Sequence, residues 1–118
     1  MVKQNNKEEY RPWGYYKVLA DTDTYKVKVI VVFPHKRLSL QRHQRRSEHW
    51  YILNGRAEIT LDDTTIVLVP GESVDIPEGA LHRIANPGSE NVRFFEVQTG
   101  DYFGEDDIER CDDDFGRT

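Results

Sequence analysis

The side chains best suited to hold a metal ion lie in two separate segments of the chain. The first, LSLQRHQRRSEHWYILNG over residues 38–55, contains Gln41, His43 and Glu48. The second, GESVDIPEGALHRIAN over residues 71–86, adds His82. Imidazole nitrogens with carboxylate and amide oxygens suit Zn, Fe, Mn, Co or Ni and leave positions open for water or substrate. If the fold brings the segments together, they predict one metal site with four ligands: Gln41, His43, Glu48 and His82.

Strand geometry decides which neighbours can share such a site, because alternate side chains point to opposite faces. Gln41 and His43 are two residues apart and share a face, whereas His49 follows Glu48 directly and faces the other way. His35 stands in a turn, where we expect an exposed side chain rather than a ligand. The alternative to a metal site is a barrel with a degenerate pocket that binds no metal.

Composition disfavours several other classes of function. A chain of 118 residues with a net charge of −5 suits one domain, and it disfavours nucleic acid as a partner because phosphate backbones attract basic surfaces. Cys111 is the only cysteine, which leaves no intrachain disulfide and no thiolate metal site. The sequence shows neither a signal peptide nor a membrane-spanning apolar run. We therefore expect a cytoplasmic protein with no membrane partner.

Short alternating runs separated by turns predict the elements that must position these side chains. YKVKVIVVF (25–33) and NVRFFEVQ (91–98) are typical of strands, and WYILNGRAEITL (50–61) predicts a hairpin that turns at Asn54-Gly55. Seven or more strands in about a hundred residues indicate an all-β sandwich or small barrel. The polar residues 1–9 predict a flexible segment before one domain over 10–118, and GEDDIERCDDDFG (104–116) predicts a short C-terminal helix.

The spacing of the site residues resembles a known motif. His35-x5-Gln41-x-His43-x4-Glu48-x6-Gly55, followed by Gly71-x5-Pro77-x-Gly79-x2-His82-x3-Asn86, is similar to the two-part cupin motif. The resemblance implies a cupin fold, which is a double-stranded β-helix or jelly-roll barrel, with the metal held inside. The chain departs from the motif at two positions, since His35 replaces a glycine and Gln41 replaces the first histidine.

Longer segments of the sequence resemble a more specific family. RPWG (11–14), LSLQRHQRRSEHW (38–50), IPEGALHRIANPG (76–88) and FFEVQTGDYFGEDDIER (94–110) occur in this order. Together they resemble the C-terminal cupin domain of type II mannose-6-phosphate isomerases, which is often fused to a mannose-1-phosphate guanylyltransferase. The resemblance implies an enzyme that interconverts mannose 6-phosphate and fructose 6-phosphate through a metal-stabilised enediolate. It also implies one divalent ion per chain, with zinc as the first choice and Mn, Co, Ni or Fe as alternatives.

The expected substrate, a small-molecule sugar phosphate, requires a cation for its phosphate and a group that moves a proton. Arg46 matches the arginine of the family's Arg-x-Glu-His run and is a candidate for both catalysis and substrate binding, with an ion pair to a nearby carboxylate as the alternative. Lys28 and Arg110 match family positions and are further substrate-binding candidates. His49 and Glu96 are candidate catalytic bases, since a metal-bound carboxylate is a poor base.

The sequence also leaves two alternative functions open and predicts one assembly state. The altered Gln44-Arg45 pair, where the family has histidine-rich residues, fits a non-catalytic cupin that binds a sugar or a sugar phosphate. An iron-dependent dioxygenase is the third hypothesis, which Gln41 disfavours because oxygenases more often use three histidines or two histidines and a carboxylate. Cupins commonly pair, so the resemblance implies a homodimer.

Overall fold

The computed structural model describes the chain over residues 3–116 and the side chains over residues 7–116. Within that part, the chain forms β-strands joined by turns and one single 3₁₀ turn at Glu105–Asp107. No helix between residues 3 and 116 is long and apolar enough to cross a membrane. The strands are β1 Lys3–Arg11, β2 Gly14–Asp21, β3 Tyr25–Val32, β4 Leu40–Arg42, β5 Arg46–Asn54, β6 Ala57–Leu61, β7 Thr64–Leu68, β8 Ser73–Ile76, β9 His82–Ala85, β10 Val92–Gly100 and β11 Glu109–Asp112.

The strands form two sheets that face each other. The larger sheet has the order β1-β2-β3-β10-β5-β8, and the smaller has the order β11-β4-β9-β6-β7. Every strand pair is antiparallel. The prediction of an all-β fold is confirmed.

The inward faces of the central strands change from apolar to polar along their length. On β10, Val92 and Phe94 are fully buried, and Glu96 and Gln98 follow on the same face and are also buried. Strand alternation places all four toward the opposite sheet. One end of the barrel therefore holds the hydrophobic core, which continues through Trp50 and its neighbours, and the other end holds buried polar groups.

The turn at Asn54-Gly55 does not close a hairpin, so that prediction is wrong. β5 pairs with β10 and β8, whereas β6 pairs with β7 and β9 in the other sheet. The chain crosses between sheets at this turn, where Asn54 Nδ2 donates to the carbonyl of Asn91 at 2.9 Å. Gly55 has φ +82, and a Cβ there would stand 2.6 Å from the same carbonyl oxygen. The close approach between two segments explains the glycine without a hairpin.

The C-terminal segment is a strand where the sequence predicted a short helix. Only Glu105–Asp107 form a 3₁₀ turn, and Glu109–Asp112 form β11, which pairs with β4 through Arg110 and Gln41. An aspartate-rich segment has weak helix propensity, and the edge of the smaller sheet offers it main-chain hydrogen bonds. Sheet pairing therefore outweighs local preference here.

The N-terminal residues pair with the sheet. Strand β1 begins at Lys3 and runs antiparallel to β2, with Arg11 opposite Gly14 across a two-residue turn at Pro12 and Trp13. A Cβ at Gly14 would stand 1.9 Å from the carbonyl oxygen of Val31, so the RPWG turn fits against β3 only with glycine. The strand covers most of the predicted flexible segment 1–9, whose mobility stays a prediction, and Met1 and Val2 lie outside the described residues.

Candidate metal centre

Three predicted ligands meet at the polar end of the barrel. Glu48 lies on the inward face of β5, His82 begins β9, and His43 directly follows β4. All three are buried, and one ligand atom from each lies within 4.8 Å of the others. Glu48 belongs to the larger sheet, whereas His43 and His82 adjoin or begin strands of the smaller sheet, so only the closed barrel brings the three together. The structure thus places these residues as the sequence hypothesis requires.

Hydrogen bonds to main-chain carbonyls set the tautomer of both histidines. His43 Nδ1 donates to the carbonyl of Asp107 at 3.0 Å, and His82 Nδ1 donates to the carbonyl of Ala80 at 3.0 Å. A carbonyl can only accept, so each Nδ1 atom carries a hydrogen, and Nε2 is the ring nitrogen left for another partner. These Nε2 atoms face Glu48, at 3.2 Å from Oε2 for His43 and 3.8 Å from Oε1 for His82. Ligating histidines in proteins are held in the same way.

Glu48 is ionised despite its burial. Burial alone raises the pKa of this carboxyl, but the hydrogen bond to His43 and the nearby His82 and Arg46 hold the pKa well below its usual range. Arg46 Nε donates to Oε2 at 3.0 Å, and Trp50 Nε1 donates to Oε1 at 2.9 Å. Burial lowers the pKa of His82, which favours the neutral imidazole that a metal needs. Glu48 and His82 therefore have the protonation states that suit metal ligands.

Gln41 adjoins the three buried ligands. It lies opposite His82 in the pairing of β4 with β9, and its side chain lines the small cavity that also contacts Glu48 and Trp50. Its Nε2 donates to the hydroxyl of Ser39 at 2.7 Å. Because the amide nitrogen is used in this bond, the amide oxygen is the atom left for a metal. The position suits the fourth predicted ligand.

Glu96 lies beside Glu48 on the neighbouring strand. Trp50 Nε1 donates to both carboxyl groups, at 2.9 Å to Glu48 and 3.3 Å to Glu96, and Gln98 Nε2 donates to Glu96 Oε1 at 2.5 Å. Burial and the negative charge of Glu48 raise the pKa of Glu96 to about 7. One carboxylate of the pair is therefore ionised, and the other gains or loses its proton near neutral pH. Of the two predicted bases, the structure brings this one to the site.

The other predicted base, His49, does not reach the site. Its neighbour Glu48 points into the barrel, so the His49 side chain points outward, where its Nδ1 lies 2.6 Å from Asp75 Oδ1. Both side chains are exposed, at 44% for His49 and 86% for Asp75. A catalytic role for His49 conflicts with this placement, and we do not assign one.

The three predicted substrate-binding cations all line a second pocket, which shares Gln41 and Glu96 with the small cavity beside the ligands. They differ in their partners. Arg46 is buried, forms the ion pair with Glu48, and has a second donor, Nη2, 3.2 Å from His43 Nε2. Its positive charge is paired with the carboxylate of Glu48, which is the alternative expected from the sequence for Arg46. Lys28 is buried on the inward face of β3, and Arg110 lies opposite Gln41 on β11.

Sequence reasoning missed two residues of this pocket and the exact role of a third. Arg11 and Tyr16 line the same pocket as Lys28, but they belong to the N-terminal hairpin, whose first strand the sequence did not predict. Asp107, in the acidic segment 104–116, accepts a hydrogen bond from His43 through its main-chain carbonyl, and no pattern of side-chain types reveals such a contact. His35 is an exposed turn residue as expected, and its φ of +62 explains why the motif has glycine there.

The two antiparallel sheets and the buried histidine–glutamate cluster define the class of protein: it has the cupin fold. Oxalate decarboxylase from Bacillus subtilis shares the fold, with a TM-score of 0.82 and 18% sequence identity over 94% of this chain and 32% of that one. KdgF from Halomonas matches with a TM-score of 0.75 and 16% identity over 80% of this chain and 87% of that one. Residues 1–113 match the family described as mannose-6-phosphate isomerase C-terminal, and the chain belongs to this family.

Curated relatives have longer chains and other names. The alginate biosynthesis protein AlgA of Pseudomonas aeruginosa is 49% identical over 115 residues, which cover 98% of this chain and 24% of that protein. A mannose-1-phosphate guanylyltransferase of Sinorhizobium fredii is 46% identical over 88% of this chain and 20% of its own length. The chain thus spans about a quarter or less of the relatives it matches.

These names overturn the function inferred from the sequence. The hypothesis described the chain simply as a mannose-6-phosphate isomerase, whereas the relatives are named for alginate or xanthan biosynthesis and for mannose-1-phosphate guanylyltransferase. The chain corresponds to one domain of such proteins, so a whole-enzyme name does not apply to it. What stands is the cupin domain, a relationship to enzymes of mannose phosphates, and a His-Glu-His cluster able to hold a metal.

Proposed function

We propose that this chain is the metal-binding, sugar-phosphate-handling module of a mannose-phosphate system that also includes a guanylyltransferase activity. The observation that carries the proposal is the buried set of His43, Glu48 and His82, with both histidines in the tautomer that a metal requires. The family and the named guanylyltransferase relatives support the choice of substrate class.

We infer that the module holds one divalent ion on His43, Glu48 and His82, with Gln41 as a fourth ligand. Zinc suits a set of two imidazoles and one carboxylate, and Mn, Co, Ni and Fe are the alternatives. When bound, such an ion supplies a Lewis acid that polarises a sugar oxygen. A homodimer and a cytoplasmic location stay predictions.

The chain's own residues would then divide the remaining tasks. Arg46 and Trp50 hold the Glu48 carboxylate by their hydrogen bonds, which fixes the orientation of the ligand. Glu96 carries a proton near neutral pH and lies next to the ligands, so it is the group placed to exchange a proton with a sugar hydroxyl. The burial of Glu48, His82 and Glu96 keeps bulk water away from this exchange.

The proposal is tested by metal content and by sugar-phosphate binding measured on the same samples. Wild type, His82→Ala and Gln41→Ala are reconstituted with zinc, dialysed and analysed for bound metal, and mannose 6-phosphate is titrated into each. We expect one zinc per wild-type chain, loss of most of it in His82→Ala, and weaker retention in Gln41→Ala. Mannose 6-phosphate should bind the zinc-loaded wild type more tightly than the metal-free protein.

A matched control is His49→Ala, which removes a histidine from the same strand on the outward face. It should keep full zinc content. Equal zinc content in wild type and His82→Ala would contradict the metal centre. Oxygen uptake with Fe(II), in the absence of any sugar-phosphate binding, would instead favour an oxygenase.

A further inference from the structure

The pocket above the metal ligands contains two cations that the metal centre does not use. Lys28 Nζ stands 4.4 Å from the centroid of the Tyr16 ring, and the guanidinium carbon of Arg11 stands 5.2 Å from the same centroid. We propose that Arg11 and Lys28, organised by the ring of Tyr16, form the subsite for the phosphate group of a sugar phosphate. The inference rests on the proposed function, in which the sugar itself is held at the metal centre.

Lys28 is the strongest element of this subsite. Its side chain is only 9% exposed and projects from the inward face of β3, and no carboxylate of the described residues forms a salt bridge with it, although Glu96, opposite it on β10, interacts with its charge. A buried ammonium without a salt bridge is costly unless a ligand supplies more negative charge. The face of Tyr16 compensates part of that cost by a cation–π contact. The negative charge of a phosphate group would compensate the remaining cost of burying the Lys28 ammonium.

Arg11 is placed by the tight turn that follows it. It ends β1 opposite Gly14, on the same face as Tyr16, and its guanidinium donates to the carbonyl of Tyr10 at 2.8 Å and to the hydroxyl of Tyr16 at 3.1 Å. An arginine has five N–H donors, so three remain for a ligand. The planar guanidinium group suits the paired oxygens of a phosphate.

The subsite lies in a pocket that adjoins the metal ligands, because Gln41 and Glu96 line both this pocket and the small cavity that contains Glu48 and His82. Arg11, Tyr16 and Lys28 line the subsite pocket together with Gln41 and Glu96. A ligand could therefore place oxygens at the metal end and a phosphate at the Tyr16 end.

Four other charged residues line the pocket. Arg46 is paired with Glu48, and Glu96 accepts hydrogen bonds from Trp50 and Gln98 and lies opposite Lys28. Glu105 is an exposed carboxylate on the rim. Arg110 adds a third cation from the opposite wall, with its Nε buried and without a hydrogen-bond partner in the described structure. The balance of unpaired charge is positive, as an anion requires.

The experiment compares a phosphorylated and an unphosphorylated sugar. Mannose 6-phosphate and mannose are titrated calorimetrically into the zinc-loaded full chain for wild type, Lys28→Met, Tyr16→Phe and Tyr16→Leu. Removing a charge-assisted contact should weaken mannose 6-phosphate binding about tenfold in Lys28→Met, with mannose binding unchanged. Tyr16→Phe keeps the ring and should lose roughly two- to threefold, whereas Tyr16→Leu also removes the cation–π contact and should lose about tenfold.

Lys17→Met is the matched control, since it removes one positive charge from the outward face of β2, where Lys17 Nζ lies 3.9 Å from Glu8 Oε2. It should bind both ligands as wild type does. Circular dichroism and zinc content check that each variant is folded and loaded.

Different results overturn different claims. Equal affinity of wild type for mannose and mannose 6-phosphate, or an unchanged preference in Lys28→Met and Tyr16→Leu, overturns the phosphate subsite and leaves the metal centre intact. An equal loss for both ligands in Tyr16→Leu would mean that the ring only supports the fold. Failure of wild type to bind zinc defeats the proposed function itself.

Discussion

The main-chain carbonyl of Asp107 accepts the Nδ1 hydrogen of His43 at 3.0 Å, and the carboxylate of the same residue accepts the main-chain N–H groups of Gln44 and Arg45 at 3.1 and 2.9 Å. Asp107 therefore joins the C-terminal segment to the turn that follows a proposed metal ligand. Burial raises the pKa of this carboxyl, but the two N–H donors outweigh it and lower the pKa. One residue thus fixes both the position and the tautomer of His43.

Replacing Asp107 by alanine should weaken metal binding. The variant keeps its main-chain carbonyl but loses the carboxylate that holds the carbonyl against His43, so the ring can rotate away from Glu48. Loss of an outer partner of a ligating histidine typically costs about tenfold in metal affinity. Competition with a fluorescent zinc chelator measures the change.

The control for Asp107 is its neighbour in the same 3₁₀ turn. Asp106 accepts a hydrogen bond from the hydroxyl of Tyr102 and does not contact His43 among the described contacts. Asp106→Ala should bind zinc as wild type does. If Asp107→Ala and Asp106→Ala retain the same zinc affinity, the carboxylate of Asp107 has no positioning role.

Arg46→Met should destabilise the metal-free protein far more than the zinc-loaded one. Without Arg46 the buried Glu48 loses its cationic partner, and breaking a buried ion pair costs roughly 3–5 kcal/mol. A metal ion at Glu48 would supply positive charge again, so zinc should recover most of the loss. Thermal melts with zinc and with a chelator measure this, and a chelator-dependent shift no larger than in wild type would refute the account.

The pKa of Glu96 predicts a pH dependence of stability in the metal-free protein. Its folded pKa of about 7 lies above the ordinary value of 4.5, so the folded state binds the proton more tightly than the unfolded state. The stabilisation is fully present below about pH 4.5 and is lost as the pH rises through about 7. The shift corresponds to roughly 3 kcal/mol at about 1.4 kcal/mol per pH unit.

Glu96→Gln is the reference for this measurement, because it removes the titration and keeps the side-chain volume. Urea unfolding with a chelator present, between about pH 4.5 and 8, should show wild type losing stability relative to Glu96→Gln as the pH rises. Other titrating groups are common to both proteins and cancel in the difference. A difference that stays constant across this range would exclude the raised pKa.

The sequence predicted which side chains meet at the polar end of the barrel, because residue type and strand period are local signals. That these side chains bind a metal stays a prediction. Gln41 lies on β4 and His43 follows it directly, whereas Glu48 lies on β5 in the other sheet. The two-residue period of β5 assigned His49 to the opposite face from Glu48. The sequence did not predict which main-chain groups from distant segments contact these side chains. The contact between Asp107 and His43 uses a main-chain carbonyl 64 residues away, and such contacts leave no mark on residue type.

The errors in the fold have a similar origin. Asn54-Gly55 has the composition of a hairpin turn, but the glycine is required by the approach of Asn91 from another segment. The polar strand β1 pairs with β2, and β11 pairs with β4. Neither strand could be predicted from an alternation of polar and apolar residues in its own sequence. Tertiary pairing decided these elements, and local propensity did not.

His35→Gly should stabilise the protein, since His35 occupies a left-handed conformation with φ +62 in an exposed turn. A residue with a Cβ pays a steric cost there of roughly 1 kcal/mol, which glycine avoids, although glycine loses more entropy on folding. The net gain should be about 0.5 kcal/mol, measured by urea unfolding. His35→Ala is the control, because alanine keeps the Cβ and should give no gain. His35 N donates to the carbonyl of Asn86 at 3.0 Å, and this main-chain bond does not require the side chain. A loss of stability in His35→Gly would therefore mean that the imidazole itself supports the turn.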